Sequence, residues 1–109
     1  MGANALEIYR GDTVSRVVTI TENGVAKNLT GYAMYFSARD KNDVEKIAKK
    51  SLAITDAVNG KGLLELTSTE TDLPFQVYDY DVEIYNSSTG DRKTPIKDTL
   101  TPKKDITRT

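Results

Sequence analysis

Asp79, Asp81 and Glu83 stand at every second position of one short stretch, so an extended chain would align three carboxylates on one face. Carboxylates in a row could collect a hard cation such as Ca²⁺. Calcium wants several oxygens at about 2.3–2.6 Å, whereas same-face neighbours along a strand stand about 7 Å apart. Lysines expected across the following hairpin compete for the same oxygens. The spacing therefore reads as a solvated sheet face, and no metal is expected. Residues 56–65 hold Asp, Asn and Gly but lack the spacing and the terminal bidentate Glu of a calcium loop.

Other chemistry is excluded by residue type. The 109 residues include no histidine and no cysteine, which removes the commonest general base, the commonest transition-metal ligand and any thiolate. There is no Gly-x-Ser-x-Gly and no glycine-rich phosphate loop. The expectation is a non-enzymatic chain without a cofactor. Fifteen basic residues against 16 acidic ones leave a net charge of −1. The basic clusters, Lys46, Lys49 and Lys50, then Lys103, Lys104 and Arg108, are not interleaved with stacking aromatics, so nucleic acid is not an expected partner. No apolar run approaches the ~20 residues of a membrane span, and the first residues lack the pattern of a signal peptide. Synthesis in the cytoplasm, with no membrane partner, is expected. Arg10-Gly11-Asp12 is the tripeptide that integrins recognise, but between two strands it reads as a turn.

Tyrosines are the remaining resource. Tyr35 and Tyr85 have outward parity in their strands and are the candidate interface residues, with Tyr78 placed near the surface beside them. Ordinary cross-strand packing accounts for the same residues equally well.

The elements that must hold these side chains are strands. After Leu73-Pro74, residues 78–86 alternate Tyr80, Val82 and Ile84 with Asp79, Asp81 and Glu83, the pattern of a half-buried strand. A tyrosine entering a strand soon after a Leu-Pro turn is the mark of a tyrosine corner. Tyr32, Met34, Phe36 and Ala38 form one face of a central strand, and Asn23-Gly24 is a hairpin turn. Residues 40–50 fit a short helix capped by Asp43 or an edge strand guarded by lysines; we read a strand. Residues 52–55 read as a separate short strand, and capping residues in 68–72 predict one helical turn. Placing Asn86 opposite Arg92 sets Val82 against Ile96 and Asp81 against Lys97, which matches both faces; Pro95 points to an edge. About seven or eight short strands, with turns roughly every 8–12 residues, predict an all-β, immunoglobulin-like antiparallel β-sandwich. It would form one domain over residues 1–101, followed by a flexible tail, 102–109.

Several segments, in order, resemble the N-terminal domain of the baseplate upper protein of phages infecting Gram-positive bacteria. They are Tyr9-Arg10-Gly11-Asp12-Thr13, Asn28-Leu29-Thr30-Gly31 with Phe36 and Arg39, Ile54-Thr55-Asp56-Ala57, and Asn59-Gly60-Lys61-Gly62 with Leu66-Thr67. Glu70-Thr71-Asp72-Leu73-Pro74, Tyr78-Asp79-Tyr80-Asp81-Val82, Gly90 and Ile106-Thr107-Arg108 complete the set. The chain departs from the family in having Phe75-Gln76-Val77 where a Gly is common. The resemblance implies a virion structural protein of the tail or baseplate, made in the host cytoplasm and docking on other phage proteins or on itself. It implies a docking domain standing alone, without a receptor-binding part. Two other readings remain: an adhesin-type or carbohydrate-binding module, against which the absence of tryptophan argues, and a capsid decoration protein.

Overall fold

The computed structural model describes residues 5–103. Its strands are β1 (Leu6–Tyr9), β2 (Val14–Thr19), β3 (Thr21–Glu22), β4 (Val25–Ala26), β5 (Tyr32–Arg39), β6 (Glu45–Asp56), β7 (Lys61–Leu66), β8 (Tyr78–Asn86) and β9 (Asp91–Lys103). Seven of them form one sheet in the order β1-β9-β8-β5-β6-β7-β2, while β3 and β4 make a separate ribbon around Asn23-Gly24. Both turn residues have positive φ, as that hairpin turn requires. Within the seven-stranded sheet every pairing is antiparallel except β1 with β9.

The all-β expectation holds, but the expected division into two separate sheets does not. The two strands expected within residues 40–55 are one, the 12-residue β6. No Pro or Gly interrupts it, so nothing stops the ladder. Its first part pairs with β5, as in Met34 with Leu52, and its last part pairs with β7, as in Ala53 with Leu63. Register shifts between Phe36 and Arg39 and between Ile54 and Asp56 bend it on the way. At the first of these Lys49 takes a φ of 41° and donates its N–H to Ser37 Oγ at 3.0 Å. One strand thus serves both layers, and the sheet curls into a nearly closed barrel.

The strand reading of residues 40–50 holds from Glu45 onward. Asp43, cast above as a helix cap, lies instead in a turn where Asp40 Oδ1 accepts the N–H groups of Asn42 and Val44. The core fills the inside of the curl. Met34, Phe36 and Ala38 from β5 meet Tyr80, Val82 and Ile84 from β8, all buried as their parity predicts. Phe36 and Tyr80 stack with ring centroids 5.2 Å apart. Leu64 and Leu66 from β7, Ile8 from β1 and Leu100 from β9 close the other side.

In the β8–β9 ladder Val82 faces Ile96 and Asp81 faces Lys97, as hydrophobic matching requires. Near the hairpin the register slips by one, so Asn86 pairs with Asp91 and Tyr85 with Arg92. The slip falls between Val82 and Ile84, opposite the stretch containing Pro95, which has no N–H to donate. β1 covers β9 only from Leu100 to Lys103, leaving Pro95 on a locally open edge as expected. β9 runs two residues past the expected boundary, and Pro102 is buried opposite Ile8. The rest of the expected tail, 104–109, lies outside the described residues.

Between β7 and β8 the expected helical turn forms. Thr67 Oγ1 accepts the Glu70 N–H at 3.1 Å, and Glu70 Oε1 accepts the Thr67 N–H at 2.8 Å, a reciprocal capping box. Thr71, fully buried, donates its hydroxyl to Asp12 O at 2.7 Å and accepts the Gly11 N–H at 3.1 Å. Arg10 pairs with Asp72 at 3.1 Å and covers the Phe75 ring. Arg10-Gly11-Asp12 is therefore a turn fastened to the 67–75 segment, with Gly11 at a φ of 84°.

Candidate functional site

The outer face of β5, β8 and β9 carries the groups singled out in the sequence. Directly opposed residues in an antiparallel pair project to the same side. Tyr35 opposes Glu83, and Tyr85 opposes Ala33 on one flank and Arg92 on the other. Because Met34 and Ile84 point into the core, Tyr35 and Tyr85 both point outward, one diagonal step apart across the β5–β8 ladder. Each is half-buried. Tyr78, expected beside them near the surface, is instead wholly buried, because it shares the inward parity of Tyr80.

Glu83 ties the face together. Its Oε1 accepts from Arg92 Nη1 at 3.0 Å and lies 3.9 Å from Lys49 Nζ. The Arg92 guanidinium also lies over the Tyr85 ring, 4.5 Å from its centroid, a cation–π contact. The Arg92–Tyr85 pairing escapes a hairpin loop counted as five residues. A loop of four residues, between Asn86 and Asp91, places the two side by side.

Towards the other end of the face Arg39 spans Asp81, Asp43 and Glu45 at 3.5–3.6 Å. A depression of about 390 Å³ opens there between Arg39, Asp81, Lys97 and Asp98. The aligned carboxylates are thus drawn to separate cations, Asp81 to Arg39 and Glu83 to Arg92 and Lys49. No group of three or more acidic side chains placed to hold a metal occurs among the described residues. At the hairpin end Tyr32 donates its hydroxyl to Asp91 Oδ2 at 2.7 Å, which raises its phenol above the ordinary range. Glu22, in turn, receives Lys93 at 3.1 Å and Lys27 at 3.6 Å. The hydrogen bond from Lys93, foremost, holds the Glu22 carboxyl low.

Fold and face together define a small all-β domain whose charged groups are arranged in cross-strand pairs around two outward tyrosines. The chain belongs to the family of BppU N-terminal domains, the N-terminal domain of the phage baseplate upper protein, whose model matches residues 2–76. It is accordingly a phage baseplate structural domain, a component of the virion. The match spans β1 to β7 and the Leu73-Pro74 corner, stopping just short of β8. The fold is similar over more of the chain to the N-terminal domain of phage TP901-1 ORF48, with a TM-score of 0.66 and 18% identity. That likeness covers 93% of this chain and 86% of the other. No curated protein matches the chain.

Proposed function

We propose that this domain docks on neighbouring baseplate proteins through the outer face of β5, β8 and β9, with Tyr35 and Tyr85 as anchors. The observation that carries the reading is their convergence on one face around Glu83. A tyrosine held by its strand and, for Tyr85, by Arg92 gives contact area with little ordering of the side chain left to do. The flanking charges supply the polar rim that sets partner and register. The mechanism is binding without turnover, to other virion proteins or between copies of this chain, with no nucleic acid or membrane involved. The tyrosine corner at Tyr78 supports reading the curled sheet as a variant of the immunoglobulin-like sandwich.

The guarded edges of β9 and β6 favour the face over those edges as the contact. Lys93, Pro95 and Lys97 guard the uncovered part of β9, and Lys46, Lys49 and a bulge guard that of β6. The test is incorporation into particles. A Tyr35→Ala/Tyr85→Ala double variant should unfold at nearly the wild-type temperature yet fail to co-purify with virions, each truncation weakening docking by about 2 kcal/mol. Wild-type incorporation of a folded double variant would overturn the proposal.

A further inference from the structure

Curling leaves the sheet with two ends that never join. β1 pairs only with β9 and β2 only with β7, so the two strands that flank the Gly11 turn stand at opposite edges of the sheet. Between them lies a groove of about 250 Å³ with Leu64, Tyr80, Val82 and Ile96 in its lining, flanked by Leu6 and Val18. The seam therefore offers unpaired backbone on its sides and apolar side chains beneath.

One polar side chain crosses it. Arg16, on the inward parity of β2 between Val14 and Val18, donates from Nη2 to the Glu7 carbonyl oxygen at 3.2 Å. Arg10, Arg39 and Arg92 each pair with a carboxylate, whereas Arg16 has only this backbone oxygen among the described residues. Because β2 carries no Pro, no Lys and no bulge, the inward Arg16 is its guard, and a carboxylate would neutralise it.

We infer that the β1–β2 seam accepts an extended segment of a neighbouring virion protein that presents a carboxylate between two apolar side chains. The carboxylate draws the Arg16 guanidinium away from Glu7, and the freed carbonyl then accepts an N–H of the incoming strand. The apolar residues on either side enter the groove, as in other strand additions to a sheet edge. The site is separate from the Tyr35–Tyr85 face and does not depend on it.

The test titrates the full ¹⁵N-labelled chain with two heptapeptides, Thr-Val-Thr-Glu-Thr-Val-Thr and its form with lysine in place of glutamate. The glutamate peptide should give saturable amide shifts confined to Leu6–Tyr9 and Val14–Thr19, and the lysine form should bind at least about tenfold more weakly. Arg16→Glu should exchange that preference; if it does not fold, Arg16→Gln should abolish it. Absence of saturable shifts up to ~5 mM peptide would overturn the inference. Equal binding of both peptides, or shifts centred on the guarded edges of β6 and β9, would do the same. Dimerisation without peptide that shifts the seam amides would assign the groove to a second copy and overturn it too.

Discussion

The Tyr78 hydroxyl donates to the carbonyl oxygen of Pro74, four residues back, at 2.9 Å, from a ring that has no exposed surface. The bond fixes the corner by which the chain leaves the Thr67–Thr71 turn and enters β8, the strand that carries Tyr85. Tyr78→Phe keeps the ring but leaves the Pro74 oxygen without this donor. Stability should fall by about 1–2 kcal/mol, seen as a lower urea midpoint with an unchanged slope.

Two glycines with similar backbone angles should respond differently to alanine. Gly24 has a φ of 79° and nothing within 4 Å of an added Cβ, so Gly24→Ala meets only backbone strain, about 1 kcal/mol. Gly60 has a φ of 70°, and its Cβ would stand 2.6 Å from Ile20 O and 2.7 Å from Lys27 O. Those backbone atoms cannot swing aside, since Ile20 donates its N–H to Gly60 O at 2.8 Å. Gly60→Ala should therefore cost more than about 2 kcal/mol, measured by thermal unfolding of the two variants side by side.

Acid should loosen the capping turn. Partial burial opposes the charge on Glu70, but the Lys50 ammonium and the Thr67 N–H outweigh it and hold the carboxyl below its ordinary value of 4.5. A lowered folded pKa adds stability above 4.5 that is lost as pH falls through the folded value. Glu70→Gln should unfold at a lower temperature than wild type at neutral pH, with the gap closing on acidification. Glu22 shifts the same way but lies in open solvent, so added salt should erase its share first.

Alkali should act on Tyr80. Burial, and secondarily the Asp98 carboxylate, push its phenol up to about 12 from an ordinary 10. A raised folded pKa means that its contribution is complete below 10 and is lost as pH rises through about 12. Phenolate absorbance should show a late-ionising tyrosine that titrates together with unfolding, and Tyr80→Phe should flatten the alkaline loss of stability.

Strand content, the inward set Tyr80-Val82-Ile84, the tyrosine corner and the Val82–Ile96 register were legible because each rests on a period of two or on local turn chemistry. The same parity placed Tyr35 and Tyr85 outward. Applied to Tyr78, it would also have put that residue inside, since Tyr78 stands two positions before Tyr80. The slip that brings Arg92 beside Tyr85 has a visible cue in Pro95, but a bulge position follows from which ladder bonds survive, and that needs both strands in place.

Alternation and turns are properties of neighbouring residues, so the linear chain already contained the all-β class, the faces of β5 and β8 and the Asn23-Gly24 hairpin. Whether seven strands make two sheets or one depends on how far β6 bends before meeting β7, and that balance is struck between residues distant along the chain. The Thr71 bridge to the Arg10–Asp12 turn belongs to the same category, and the reach of Arg16 to Glu7, nine residues back, depends on where the curl leaves the two sheet edges. They join segments 59 or more residues apart in the first case and opposite ends of a curled sheet in the second, so only folding brings them together.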